Sequence, residues 1–227
     1  MNRWLYVSLT LTILALGASV YVYANRETVL QARVPTHWDI NGQPDHFTPR
    51  EEMLPHLLVL PGVMGLIIVL TFALPWLSPK HFSVDTFRDT FNYLMMLVVG
   101  LMAYLDAVIL TAYVHPELAA NGTIDIGRLL MSGIFPFFAL LGNQLGKVRR
   151  NFWMGVRTPW TLASEAVWTQ THRVAAWVFV AVGVLGFIAA LADVPLAICF
   201  GLLIVGALIP VVYSLILYKR LEKAGKL

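Results

Sequence analysis

Six apolar runs, near 4–24, 54–78, 91–114, 127–145, 174–193 and 195–218, are each long enough to cross a membrane as a helix. About 20 helical residues cover the roughly 30 Å of hydrocarbon in a bilayer. Lipid offers no water to an exposed N–H or C=O, so each run must satisfy its backbone internally, and a helix is the result. Pro55, Pro61, Pro75 and Pro136 lie within or near these runs and mark helix starts or kinks. The composition agrees: 13% of residues are charged and 58% are hydrophobic, against about 25% charged in soluble domains. The expected fold is therefore an all-α integral membrane protein, a bundle of six transmembrane helices. Cys199, the single cysteine, sits inside an apolar run, which excludes a disulfide framework and a cysteine metal centre. No basic cluster outside the membrane-flanking loops is dense enough to engage nucleic acid directly.

Lysines and arginines orient the bundle, because they accumulate on the cytoplasmic side. With the N-terminus inside, Arg3, Lys80, Arg88, Lys147, Arg149, Arg150, Arg157, Arg173, Lys219, Arg220, Lys223 and Lys226 are cytoplasmic. Only Arg26, Arg33, Arg50 and Arg128 are then outside. Both termini are expected in the cytoplasm, with the chain crossing the membrane several times. Arg3, the first apolar run and Val22-Tyr23-Ala24 also resemble a cleavable signal peptide, but the run is long for one and an anchor is the better reading. Internal repeats, low-complexity tracts and a soluble domain are not evident. Gly183, Gly186, Gly201 and Gly206 in the last two runs suit close helix packing.

Two loops carry the polar chemistry. The outer one, residues 25–53, is rich in turn formers, with Asn41-Gly42 and Gln43-Pro44-Asp45 marking reversals. Alternation around Thr36–Ile40 fits a strand of a short β-hairpin. His37, Asp39, Asp45 and His46 are possible metal ligands by type, but two turns separate them and no metal motif is matched. The reading preferred is a compact polar cap in which His37, Asp39, Asn41 and Asp45 bond the loop's own turns, without a metal or other cofactor. Within the membrane, Asp106 is the one carboxylate deep in hydrocarbon, where a lone charge is costly and function is the default expectation. Arg128 and His56, at the outer ends of neighbouring spans, are its natural partners.

The inner loop reads GNQLGKVRRNFWMGVRTPWTLASEAVWTQTHR from Gly142 to Arg173. Asn143 and Gln144 bring polar groups to a helix end. Lys147, Arg149 and Arg150 can meet anionic headgroups, and Phe152, Trp153 and Trp160 are aromatics of the kind that settle at the interface. Thr158-Pro159 offers a helix start, with Thr158 or Thr161 as cap. From Leu162 the sequence predicts a short amphipathic cytoplasmic helix before the fifth span, on which Glu165, Trp168 and His172 share a face. A carboxylate, an indole and an imidazole on one face, approached by Arg157, can grip a ligand or lock a bundle. Glu165 near His172 would also serve as an acid–base pair, although no nucleophile with an orienting partner accompanies it.

This stretch resembles the signature of the SdpI family, immunity proteins of the type that acts against a sporulation-delay toxin. The similarity rests on Asn143, Asn151, Gly155, Val156, Arg157, Thr158, Pro159, Trp160, Thr161, Glu165, Trp168, His172 and Arg173. The outer segment Pro35–Asp45 is similar to the uncharacterised N-terminal domain that often precedes this module in the family. The resemblance implies two modules: 1–78, two spans with the outer loop 25–53, and 79–227, four spans with the cytoplasmic motif 143–173. It also implies a non-enzymatic membrane protein giving immunity or resistance to a secreted, membrane-active peptide toxin. A further expectation is signal transduction, by recruitment of a cytoplasmic transcriptional regulator to the membrane. The residues expected to bind ligand or partner are Asn143, Asn151, Arg157, Thr158, Trp160, Glu165, Trp168 and His172. Two alternatives stay open on the residues alone: a membrane-embedded enzyme or metal protein using Glu165 and His172, and a small-solute transporter centred on Asp106.

Overall fold

Helix α1 (Arg3–Ala24) begins where the Asn2 side chain accepts the backbone N–H of Trp4, filling one of the donors a helix start leaves open. The computed structural model describes residues 2–39 and 43–227. A single turn, α2 (Arg26–Val29), leads into an antiparallel pair, β1 (Arg33–Trp38) and β2 (Pro44–Pro49). The hairpin read from the outer loop is thus present, with Val34 facing Thr48 and His37 facing His46 across it. Its turn residues Asn41 and Gly42 lie outside the described residues.

Five further long helices and two short ones follow: α3 (Leu54–Leu77), α4 (Arg88–Val114), α5 (Pro116–Ala120), α6 (Ile126–Leu145), α7 (Pro159–Ala163), α8 (Glu165–Leu191) and α9 (Leu196–Lys223). Among the described residues six helices are long and apolar enough to cross a membrane, in agreement with the apolar runs. Apolar side chains such as Ile13, Val69, Ile188 and Ile204 are exposed on their outward faces, as lipid requires. Trp76 and Trp177 are also exposed, the amphipathic aromatics that suit a headgroup boundary.

The bundle has two groups joined by α4, which packs on α1 and α3 on one side and on α6 on the other. Lipid tails are as apolar as leucine, so close packing rather than escape from water holds such helices together. The contact between α6 and α8 shows how. A Cβ at Gly183 would stand 2.6 Å from the Phe135 carbonyl oxygen, and one at Gly186 would enter the Phe135 ring. Gly142 meets the α8 backbone just as closely. Gly206 lets α9 approach Val182, whereas Gly201 faces open space. The α8–α9 turn is tight, with Asp193 at φ 56°.

One boundary differs from expectation. The separate short helix is Pro159–Ala163, and Glu165–His172 instead forms the first two turns of the fifth spanning helix. Ser164 is the cause. It takes an extended conformation (φ −138°, ψ 126°) and its hydroxyl caps α8 through the Val167 N–H.

Candidate functional site

The inner loop between α6 and α8 is organised around Asn151, which is wholly buried. Its Oδ1 accepts the N–H groups of Trp153 (2.7 Å) and Met154 (2.8 Å), while its Nδ2 donates to the carbonyls of Arg149 (2.9 Å) and Met154 (3.0 Å). An amide has two donors and one acceptor oxygen with two lone pairs, so this side chain is fully used. Without it these main-chain groups would lose their partners, at about 1–3 kcal/mol for each one kept from water.

Three tryptophans then fasten the loop to separate helices. Trp153 Nε1 donates to Ser78 Oγ at the end of α3, 2.8 Å away. Trp168, buried on α8, donates from Nε1 to the Val148 carbonyl at 2.9 Å. Trp160 Nε1 donates to Ser214 Oγ on α9, and that hydroxyl also lies 3.4 Å from Thr158 Oγ1. Thr158 caps α7 in a reciprocal box with Thr161, and the buried Thr161 hydroxyl further reaches the Val156 carbonyl.

His172 closes the knot. Its ring stacks on Trp168 with centroids 4.0 Å apart and planes at 19°. Nδ1 lies 2.9 Å from the Trp168 carbonyl, and Nε2 accepts the Val156 N–H at 3.0 Å. A carbonyl only accepts, so the proton sits on Nδ1 and the ring is the neutral Nδ1–H tautomer. Gly155 makes this approach feasible. It adopts φ +108°, and a Cβ there would lie 2.3 Å from His172 Nε2.

The structure brings together most of the residues singled out in the motif, but not in the expected pairs. Trp168 and His172 face inward together. Glu165 is exposed and pairs with Arg150 (3.1 Å), whose guanidinium also donates to the Leu162 carbonyl. Both His172 nitrogens are engaged by backbone, so Glu165 and His172 are not joined as an acid–base pair. Arg157 is exposed and bonds back to the Phe152 carbonyl, over the Phe152 ring. Asn143 is exposed and, with Gly142, Gly146, Arg173 and Trp177, lines a shallow groove beside α8. Ser78, Ser214 and the Val148 and Val156 backbones were not foreseen. Ser214 had a visible signal, a hydroxyl in an otherwise apolar run.

Outside, His37 Nδ1 pairs with Asp45, and Asp39 Oδ1 accepts the Gln43 N–H at 2.9 Å. Among the described residues no three His, Cys, Asp or Glu side chains converge as a metal site would require. Asn41 lies outside the described residues. Asp106 is buried in α4, but its expected partners are elsewhere. Arg128 pairs with Asp125 (3.0 Å) and Asp193 (3.3 Å) and donates to the Val194 carbonyl. The buried Nδ1 of His56 has no partner among the described residues.

Comparison with known proteins agrees with the motif. Residues 147–214 match the SdpI/YfhL protein family, and residues 10–65 match a domain of unknown function, DUF1648. The chain is 26% identical over 177 residues to the Immunity protein SdpI of Bacillus subtilis (strain 168), covering 78% of this chain and 76% of that protein. No solved structure matches. The likeness to the SdpI family read from Asn143–Arg173 is therefore borne out, in a multi-pass membrane protein.

Proposed function

We propose that this chain is a membrane immunity protein that protects its cell from a membrane-active peptide, and that it reports the peptide's presence to a cytoplasmic regulator. The observation that carries the first half is the similarity to an immunity protein over 78% of the chain. The reading places both termini and the inner knot in the cytoplasm, following the positive charges, and makes no use of catalysis or a cofactor. The outer hairpin and outer helix ends meet the peptide.

The knot supports the second half. Its side chains are tied to α3 through Ser78, to α8 through Trp168 and His172, and to α9 through Ser214. A shift among those helices would therefore rearrange the loop that a regulator sees, with Arg157, Trp160 and the Arg150–Glu165 pair at its surface. A ligand moves such an equilibrium only by its differential affinity for the two arrangements, so peptide and regulator binding are coupled in both directions.

The test is deletion of the protein followed by challenge with peptides secreted by the same or neighbouring strains. Sensitisation to at least one peptide, reversed by the wild-type copy, is expected. Unchanged sensitivity to every peptide would sink the immunity reading. Identical membrane recruitment of all cytosolic proteins with and without the active peptide would sink the signalling half alone.

A further inference from the structure

The groove beside α8 holds motif residues that the inner knot leaves unused. Gly142, Asn143, Gly146, Arg173, Trp177 and Val180 are among its walls. Their levels follow from the α6–α8 contact. A Cβ at Gly142 would stand 2.8 Å from the Ala176 carbonyl oxygen and from the Val180 nitrogen, and one at Gly183 would stand 2.5 Å from the Ala139 nitrogen. The two helices therefore run antiparallel. Gly146 lies about one turn past the Gly142 contact on α6, and Arg173 about one turn before it on α8, which is the same end. There α6 stops at Leu145, and a Cβ on Gly146 would meet nothing within 4 Å. The mouth is open because a helix ends there on a residue without a side chain.

The polar side chains of this groove are unspent. Asn143, Arg173 and the Trp177 indole make no hydrogen bond or ion pair among the described residues. By contrast Lys147, Arg150 and Arg157 are bonded to Gln144, Glu165 and the Phe152 carbonyl. Arg149 is also unpaired, but it does not line the groove. Among the described residues no carboxylate lines it. A guanidinium and an amide without an acceptor between them offer donors to an anion, and the planar guanidinium matches phosphate oxygens in pairs.

The far end of the groove selects the source of that phosphate. Arg173 to Val180 is about 10 Å along α8, running into the span past Trp177, which is 79% exposed and suits a headgroup boundary. A free phosphate would use the Arg173 end alone, whereas a phospholipid uses both ends. A choline or ethanolamine head would bring its own cation beside Arg173, with no carboxylate in the groove to receive it. We infer that this groove binds one anionic phospholipid, with its phosphate on Arg173 and Asn143 and its first chain carbons against Trp177 and Val180. A lipid held there braces α6 against α8 one residue from His172. The site does not depend on the immunity reading.

Native mass spectrometry of the full chain in detergent tests it, with phosphatidylglycerol, phosphatidylcholine or inorganic phosphate added. The first phosphatidylglycerol should bind more tightly than phosphatidylcholine. Arg173→Gln should weaken it about fivefold, the effect of one basic residue near an anionic headgroup, and leave phosphatidylcholine unchanged. Gly146→Leu should weaken it by filling the mouth with Arg173 intact, and the backbone there (φ −64°, ψ −16°) accepts any side chain. Arg149→Gln should change little, and inorganic phosphate should not displace the lipid. Should Arg173→Gln fail to fold, Gly146→Leu against Arg149→Gln decides. Equal affinity for the two lipids, full affinity in Gly146→Leu, a loss in Arg149→Gln as large as in Arg173→Gln, or displacement by inorganic phosphate overturns the site.

Discussion

The inner loop with the start of α8 and the outer hairpin both carry histidine, carboxylate and tryptophan, yet they spend those side chains in opposite ways. Inside, Asn151, Thr161, Trp168 and His172 are buried and bonded to main-chain groups. Outside, the His37–Asp45 pair is solvent-facing, with side chains 68% and 48% exposed, and order comes from a two-stranded ladder. Side chains that replace secondary structure as partners of the backbone make a loop rigid, whereas side chains that decorate a ladder leave it adjustable. On the function proposed above, the difference would suit a fixed surface for a regulator on one side and a surface that adapts to a peptide on the other.

Substitutions that break this contrast should rank by what they strand. Asn151→Ala comes first, since it removes the buried side chain that bonds two N–H groups and two carbonyls of the loop. A loss of about 3 kcal/mol or more is expected, seen as a large fall in melting temperature in detergent. Gly155→Ala comes next, because it meets both the φ of +108° and the His172 ring. About 2 kcal/mol is expected, and Gly155→Ser should do no better. Ser214→Ala removes the acceptor of the Trp160 indole and should cost about 1 kcal/mol. It should also loosen α7 from α9, read as faster proteolysis near Trp160. Glu165→Gln breaks a surface pair and should cost under about 1 kcal/mol. Smallest of all, Asp45→Asn should leave melting unchanged while reducing protection against the cognate peptide, which sharpens the assignment of ligand contact to the outer face.

The spans were legible because hydrophobicity alone places a helix in lipid. The hairpin was legible because Gln43-Pro44-Asp45 and strand alternation act locally. The knot was only half legible. Trp168 and His172 could be set on one face by spacing, but their partners are the backbones of Val148 and Val156, and a backbone group carries no letter in a sequence. Glu165 was grouped with His172 by position, yet Arg150 reaches it from across the loop. Arg128 was expected to turn inward to Asp106. Asp125 sits one helical turn before it and Asp193 lies on the neighbouring hairpin, so nearer and wetter carboxylates claim it.

Hydrogen–deuterium exchange of the full chain in lipid nanodiscs reads the central claim directly, since the N–H groups of Trp153, Met154 and Val156 are held by the Asn151 and His172 side chains. Slow exchange at these three amides, collapsing to loop-like rates in Asn151→Ala while the spanning helices stay protected, is the outcome expected. Rates at 151–158 as fast as those of an unstructured segment in the wild-type protein would contradict it.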